Sequence, residues 1–556
     1  MGNQIKVYCV NLRRYLDIAG GETLLDLYNR IKGELGFSPI CARVNNKNES
    51  LRFPVFLPKQ VEFMALESAS GHRVYIRSLC MTLYKAVHDL YPTATLDIEH
   101  SISRGWYFVL PGGPEPSKEV ADALKARMKE IVEADLPFER KERLTKDVIE
   151  IFRREGLEDK VRLLSTIDDL YTTYYKLDDV FDSYYGCLAP STGYLDVFDV
   201  IPYEDGFLLL GPDTKDPSRP SRPIEQKKMY RAFTDHLKFN KIVGVSNVGE
   251  LNEAVRKNET PMIINVSEAL HEKYIGRIAD DIADRFRRGG ARVVLIAGPS
   301  SSGKTTSTKR LAIHLMTNLL EPKMISLDNY FVDRDKTPRD VDGDYEYESL
   351  YALNLEQFNR NLNDLIAGKR VEIPYYNFEK GKSEYRGDYL QLDENSVLLI
   401  EGIHGLNPAL TPDVDPKMKY LVYISALTAI SIDDHNWIPT TDNRLLRRII
   451  RDYKYRGMSP VATLKRWASV RRGEEKWIFP FQENADATFN SSLLYELGVI
   501  RDQALKALAE VPRDIPEYAE AYRLRRFLDY FLPIDPRFIP STSLLREFLG
   551  GSSFHY

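Results

Sequence analysis

The stretch Gly298-Pro299-Ser300-Ser301-Ser302-Gly303-Lys304-Thr305 constrains this 556-residue chain more than any other. It fits the pattern G-x-x-x-x-G-K-[ST]. It lies between an apolar run at 292–297 and a segment, 304–320, in which Leu311, Leu315 and Leu319 recur every four residues. That order predicts a buried strand, a glycine-rich turn and a helix. In such a turn the backbone N–H groups wrap an anionic phosphate, and the helix N-terminus adds partial positive charge. Lys304 then reaches the β and γ phosphates, and Thr305 ligates Mg2+. Gly298, Pro299, Ser300, Ser301, Ser302, Gly303, Lys304, Thr305 and Thr306 are accordingly the expected nucleotide-binding residues.

Beyond the loop, apolar runs predict strands at 323–327, 396–400 and 419–425, and a helix at 355–367 closed by Gly368. Strands alternating with helices imply a parallel α/β sheet, whose ligands sit at the carboxyl ends of the strands. Asp328, just past one strand, and Glu401, just past another, are thereby singled out. Asp328 is placed to take a proton from an attacking hydroxyl, with an N-cap or a metal ligand as its other readings. Glu401 is suited to hold Mg2+ through water or to polarise that water, with a surface salt bridge as the alternative. The loop leaves the acceptor open: water makes an NTPase, a hydroxyl a kinase, a conformational switch a GTPase. No Asn-Lys-x-Asp guanine signature follows residue 305. Residues 442–456 predict an amphipathic helix stopped by Gly457, with Leu445, Leu446, Ile449, Ile450 and Tyr453 on one arc. Arg444, Arg447, Arg448 and Arg451 share the opposite arc, which is either a clamp for phosphate charge or a solvated face.

Together with these residues, four further stretches resemble the uridine kinase and phosphoribulokinase group of P-loop kinases over roughly 291–500. They are Ser326-Leu327-Asp328-Asn329-Tyr330-Phe331, Gly368-Lys369-x-Val371-x-Ile373-Pro374-x-Tyr376-x-Phe378, Glu401-Gly402-Ile403-His404, and the arginine helix through Arg456-Gly457. The resemblance implies ATP- and Mg2+-dependent phosphorylation of a nucleoside 5′-hydroxyl. Asp328 is then the base, and Lys304, Arg447 and Arg448 stabilise the transferred group. Arg451 contacts the nucleotide from a closing lid, and Thr305 and Glu401 hold the metal. Tyr330, Glu348, Tyr376 and Arg444 fall on the acceptor side, Glu348 standing where the family has an Asp that holds the ribose hydroxyls. The chain departs from uridine-cytidine kinases after Tyr376. It reads Asn377-Phe378-Glu379-Lys380-Gly381-Lys382-Ser383, without the pyrimidine-contacting His. A kinase for another sugar-like or pantothenate-like alcohol, or an ATP-switched RNA-associated regulator, are therefore the alternatives.

At roughly 150 residues per domain the length predicts three or four domains, hence a multi-domain α/β and α+β protein. Residues 1–65 predict a small α+β module, with a strand at 5–8 and a helix opening at Thr23, where Asp26 has capping-box spacing. Residues 66–225 mix helices at 79–90 and 118–132 with Gly-punctuated strands, up to the Pro-rich run at 217–223. A helical connector at 226–290, the P-loop domain at 291–510 and an extension at 511–556, with a helix at 518–531, complete the division. Residues 1–65 resemble the ubiquitin-like TGS domain, and 66–225 the editing module of threonyl-tRNA synthetase. The second likeness rests on 77–86, Ile102-Ser103-Arg104-Gly105-Trp106-Tyr107 and Tyr185-Gly186-Cys187-Leu188-Ala189-Pro190. That family's H-x-x-x-H and C-x-x-x-H become Ser78, Thr82, Cys187 and Ser191 here, so a Zn2+ site and editing chemistry both lack their ligands. The module is expected to serve as scaffold, sensor or oligomerisation surface, and a homo-oligomer is the expected assembly. Lys and Arg (76) nearly balance Asp and Glu (81), which disfavours tRNA binding. Cys9, Cys41, Cys80 and Cys187 form no C-x-x-C pair, and no apolar h-region follows Met1-Gly2-Asn3-Gln4-Ile5-Lys6. With no apolar run of membrane-spanning length, a cytoplasmic location without membrane contact is expected.

Overall fold

The computed structural model describes residues 4–555; the targeting reading at Met1 to Asn3 lies outside the described residues. A five-stranded parallel sheet organises the second half of the chain, in the spatial order Glu321–Ser326, Ser396–Glu401, Val293–Ala297, Lys419–Ser425, Ala487–Asn490. The central strand is buried at every position, which is why it reads as an unbroken apolar run rather than an alternating one. The helix Thr260–Arg287 and the loop helix Lys304–Thr317 pack on one face of the sheet through Ile275, Ile282, Leu311 and Leu315. Leu355–Ile366 covers the other face with Phe358, Leu362 and Leu365. The loop helix ends three residues before the predicted 320, because Leu319 adopts φ 63° and turns the chain into the edge strand.

The first module is a five-stranded mixed sheet carrying the helix Leu24–Leu35. Its predicted capping box is formed: Asp26 N–H donates to Thr23 Oγ1 at 3.2 Å, and Thr23 N–H donates to Asp26 Oδ2 at 3.0 Å. The second module wraps a four-stranded and a three-stranded antiparallel sheet around Ala69–Leu90. This helix begins ten residues before the predicted 79, and Ser68 caps it by accepting the Gly71 N–H at 3.0 Å. It is buried on almost every side, so no apolar stripe marks its start. Of the four positions aligned with the synthetase ligands, Ser78 and Thr82 spend their hydroxyls on the module's own backbone and Cys187 is buried. Ser78 Oγ donates to the Val74 carbonyl and accepts the Ala189 N–H, both at 2.8 Å. Thr82 Oγ1 donates to the Ser78 carbonyl at 2.9 Å, and burial pushes the Cys187 thiol up to about 12.

Charged groups buried between the second module and the sheet domain join the two. Lys160 Nζ lies 2.8 Å from both Asp182 and Asp433, and His435 Nδ1 lies 2.8 Å from Asp182. Asp433 and His435 belong to the hairpin 431–437, which leads directly into the arginine helix Thr440–Tyr455. From the C-terminal helix Tyr518–Leu528, Arg523 grips Asp442 on the arginine helix at 2.6 and 2.8 Å, while Glu520 meets Arg73 of the second module at 2.8 Å. The stretch expected as an extension, 511–556, contributes to a core shared with the arginine helix: Leu524, Phe527, Leu544, Leu545 and Phe548 pack among Leu445, Leu446 and Ile449. Among the described residues no helix is long and apolar enough to cross a membrane.

Candidate active site

Strand register assembles the site. Glu401, the last residue of its strand, pairs with Ile296 on one side and with Ser326 on the other. Gly298 and Asp328 each lie two residues beyond those partners, so the loop, Glu401 and Asp328 emerge together at the carboxyl edge of the sheet. Asp328 itself sits in the single turn Leu327–Tyr330, exposed at the mouth. The loop's conformation demands its glycines. A Cβ on Gly298 would overlap the Ile424 carbonyl, and Gly303 has φ 80° with Leu544 against it. The hydroxyls of Ser301 and Ser302 are buried without a hydrogen-bond partner among the described residues. Unsatisfied donors lining a glycine cradle are what a polyanion would satisfy.

Lys304 Nζ donates to the Pro299 carbonyl at 3.1 Å, across the loop. Burial pulls its ammonium below the ordinary value, while the Glu401 and Asp328 carboxylates act in the opposite direction. Thr305 Oγ1 donates to Glu401 Oε2 at 3.3 Å. Burial drives the Glu401 carboxyl up to about 7, reinforced by the negative charges of Asp328 and Glu547 and opposed by Lys304. A hydroxyl beside a carboxylate is an oxygen donor set that suits a small hard cation such as Mg2+.

The arginine helix is not a solvated face: Arg444, Arg447 and Arg448 are all buried. Arg444 Nε donates to the Ser300 carbonyl at 3.0 Å, and its other nitrogen pairs with Glu474. Arg447 is paired with Glu496, donates to the Ser491 carbonyl at 2.9 Å and lies 3.4 Å from the Ser301 carbonyl. Arg448 donates to Ser300 Oγ at 2.8 Å, and burial brings its guanidinium down to about 10 despite Asp452 beside it. Arg451 bonds to Asp452 Oδ1 at 2.9 Å.

On the acceptor side, Tyr376 is buried with Phe331 and Phe378 around it, and its hydroxyl has no hydrogen-bond partner among the described residues. Burial raises the Glu348 carboxyl, and the nearby Arg448 and Arg466 oppose the rise. Tyr330, expected at the acceptor, packs instead edge-on to Phe358 in the core, with its hydroxyl accepting from Asn361 Nδ2 at 3.2 Å. In the 3-10 turn Leu327–Tyr330 residues three apart share a face, so Tyr330 turns into the core with Leu327 while Asp328 faces out. Burial brings His404 down to about 4, leaving it neutral at pH 7.

Three carboxylates escaped the sequence reading. Glu474 accepts the Ser300 N–H at 3.0 Å and pairs with Arg444 and Arg471; Glu496 holds Arg447; Glu547 Oε2 accepts from Thr306 Oγ1 at 2.6 Å. In the sequence Glu474 belongs to the run Arg471-Arg472-Gly473-Glu474-Glu475, which looks like solvated surface, and only tertiary contacts distinguish it.

Residues 293–493 match the model of the phosphoribulokinase / uridine kinase family. A uridine kinase of Staphylococcus aureus is 29% identical over 196 residues, covering 35% of this chain and 84% of that protein. The threonine–tRNA ligase of Rubrobacter xylanophilus is 30% identical over 183 residues, 33% of this chain, and the match spans only 28% of the ligase. It goes with the N-terminal modules. The solved structure of a possible uridine kinase from Bacillus stearothermophilus aligns with a TM-score of 0.25 at 20% identity, covering 38% of this chain and 98% of that one. The sheet domain is thus similar in sequence to kinases over its phosphate loop, carboxylate strands and arginine helix.

Proposed function

We propose that the domain at 291–510 is an ATP- and Mg2+-dependent kinase that transfers the γ phosphate to the 5′-hydroxyl of a nucleoside. The observation that carries this reading is the convergence of Lys304, the Thr305–Glu401 pair and Asp328 at one edge of the sheet, fixed by the register of three adjacent strands. The loop amides and Lys304 bind the triphosphate. Arg448, which touches the loop at Ser300 Oγ, and Arg451 supply positive charge to the phosphoryl group in transit. Arg444 and Arg447 act one step back, bracing the Ser300 and Ser301 carbonyls and with them the shape of the loop. Thr305 and Glu401 would hold Mg2+, which neutralises phosphate charge when bound. Asp328 accepts the proton as the acceptor oxygen bonds to the γ phosphorus and the bond to the β–γ bridging oxygen breaks. The Tyr376 hydroxyl, which has no partner among the described residues, and the Glu348 carboxylate are the groups offered to the sugar.

Incubating the protein with ATP, Mg2+ and a panel of nucleosides and related alcohols, with products read by mass spectrometry, tests the reading. A nucleoside 5′-monophosphate that is formed by wild type and lost in Lys304→Ala is expected. ATP hydrolysis alone, with no phosphorylated acceptor in the panel, would contradict it.

A further inference from the structure

The last stretch of chain lies across the phosphate loop. Thr306, in the first turn of the loop helix, is fully buried, and its hydroxyl donates to Glu547 Oε2 at 2.6 Å. Leu544 fills the space that a side chain on Gly303 would need. The backbone amides and hydroxyls of a phosphate-binding helix's first turn are where an anion sits, and a carboxylate already sits there. It adds to the negative charge of Glu401 at the site, since Glu547 lies close enough to Glu401, Lys309 and Arg456 to act on each of them. A triphosphate entering the loop would meet Glu547 and Glu401 together, like charges in a water-poor site.

The attachment of this stretch divides into two parts. Its root is core: Leu544, Leu545 and Phe548 are buried, Ser543 Oγ donates to Glu268, which also accepts from the Tyr495 hydroxyl at 2.7 Å, and Arg447 stacks 5.3 Å above the Phe548 ring. Its tip meets the loop helix through Lys309, which donates to the His555 carbonyl, and folds back on its own segment, the Ser553 N–H donating to the Ser541 carbonyl at 3.0 Å. Between the two, Gly550 and Gly551 both have left-handed φ, 88° and 72°. Consecutive glycines there give the chain a hinge that other residues would stiffen.

We propose that the C-terminal segment is a self-docked occupant of the nucleotide site: Glu547 holds the seat of a nucleotide phosphate on Thr306, and entry of a nucleoside triphosphate turns the Glu547 side chain off Thr306 and frees the tip at 552–555 beyond the glycines, while the backbone of the root stays packed. This rests on the reading of 298–305 as the nucleotide site. Glu547→Gln keeps the shape and the hydrogen-bonding oxygen but removes the charge. Calorimetric titration with a non-hydrolysable ATP analogue and Mg2+ should give a dissociation constant about tenfold lower for Glu547→Gln than for wild type, ~1.4 kcal/mol in its favour. In the wild type, amide hydrogen exchange over 550–555 should speed up when the analogue is added. Equal or weaker binding by Glu547→Gln, or slower exchange of the tip on binding, would overturn the proposal, the latter by making the segment a wall of the filled site. Lys304→Ala separates the two claims. If it binds the analogue as wild type does, the nucleotide-site reading falls. If it loses binding while Glu547→Gln behaves as wild type, only the latch falls.

Discussion

Arg447 separates two accounts of the arginine helix. Its guanidinium and the Glu496 carboxylate are 0% and 1% exposed, and the pair also ties the Ser491 and Ser301 carbonyls to the helix. Arg447→Met would leave Glu496 with the Leu493 N–H at 3.3 Å as its remaining donor. An unpaired charge buried in this way costs about 3–5 kcal/mol. The double variant Arg447→Met/Glu496→Leu removes both charges and should recover most of that loss, because the pair's own desolvation cost disappears with it. Urea unfolding followed by tryptophan fluorescence, with Trp467 and Trp477 on the neighbouring helix, reads the sheet domain. Turnover should fall with Arg447→Met through a disordered loop and return in part in the double variant. If Arg447→Met kept wild-type stability while turnover fell about a thousandfold, the size expected of a group that touches the transferred phosphoryl, the bracing role would be wrong.

Burial and the neighbouring Asp328 and Glu547 hold the Glu401 carboxyl at about 7, so its charged form prevails only above that pH. Mg2+-dependent nucleotide binding should therefore strengthen as pH rises through about 7, and Glu401→Gln should flatten that dependence in a titration series; a flat wild-type profile would speak against Glu401 as the metal ligand. At the seam of the second module, burial raises Glu99 to about 8 and Asp434 to about 8. Both carboxyls bind protons in the folded state that the unfolded chain releases near pH 4–5, so stability is full below that range and lost as pH climbs through about 8. Glu99→Gln should remove part of the decline in Tm between pH 5 and 9, and an unchanged slope would refute the burial argument. Arg523→Met should loosen the arginine helix by stranding Asp442, measured as faster amide exchange over 440–455; unchanged exchange would show that the C-terminal helix is no brace.

What the sequence discloses is governed by how local the cause is. The phosphate loop, the capping box at Thr23 and Asp26, and the strand ending near Asp328 each declare themselves within a few residues, and the structure forms them. The arginine helix was legible as a helix, yet its arginine arc reads the same whether solvated or buried. Its partners Glu474, Glu496 and Asp442's Arg523 come from distant segments or from runs that look like surface charge. Residues 511–556 carried no legible role because their apolar positions acquire meaning only against the arginine helix. Tyr330 lies in the core for a related reason: two residues past Asp328, in a 3-10 turn, it shares the face of Leu327, which the flanking sequence does not disclose.

The proposed transfer requires Asp328 to receive the proton of an alcohol lined up with the terminal phosphate of ATP. The most direct measurement is turnover of Asp328→Asn with the accepted nucleoside, alongside its affinity for ATP. Transfer should disappear while ATP affinity stays near wild type. Turnover retained within a few fold of wild type would contradict it.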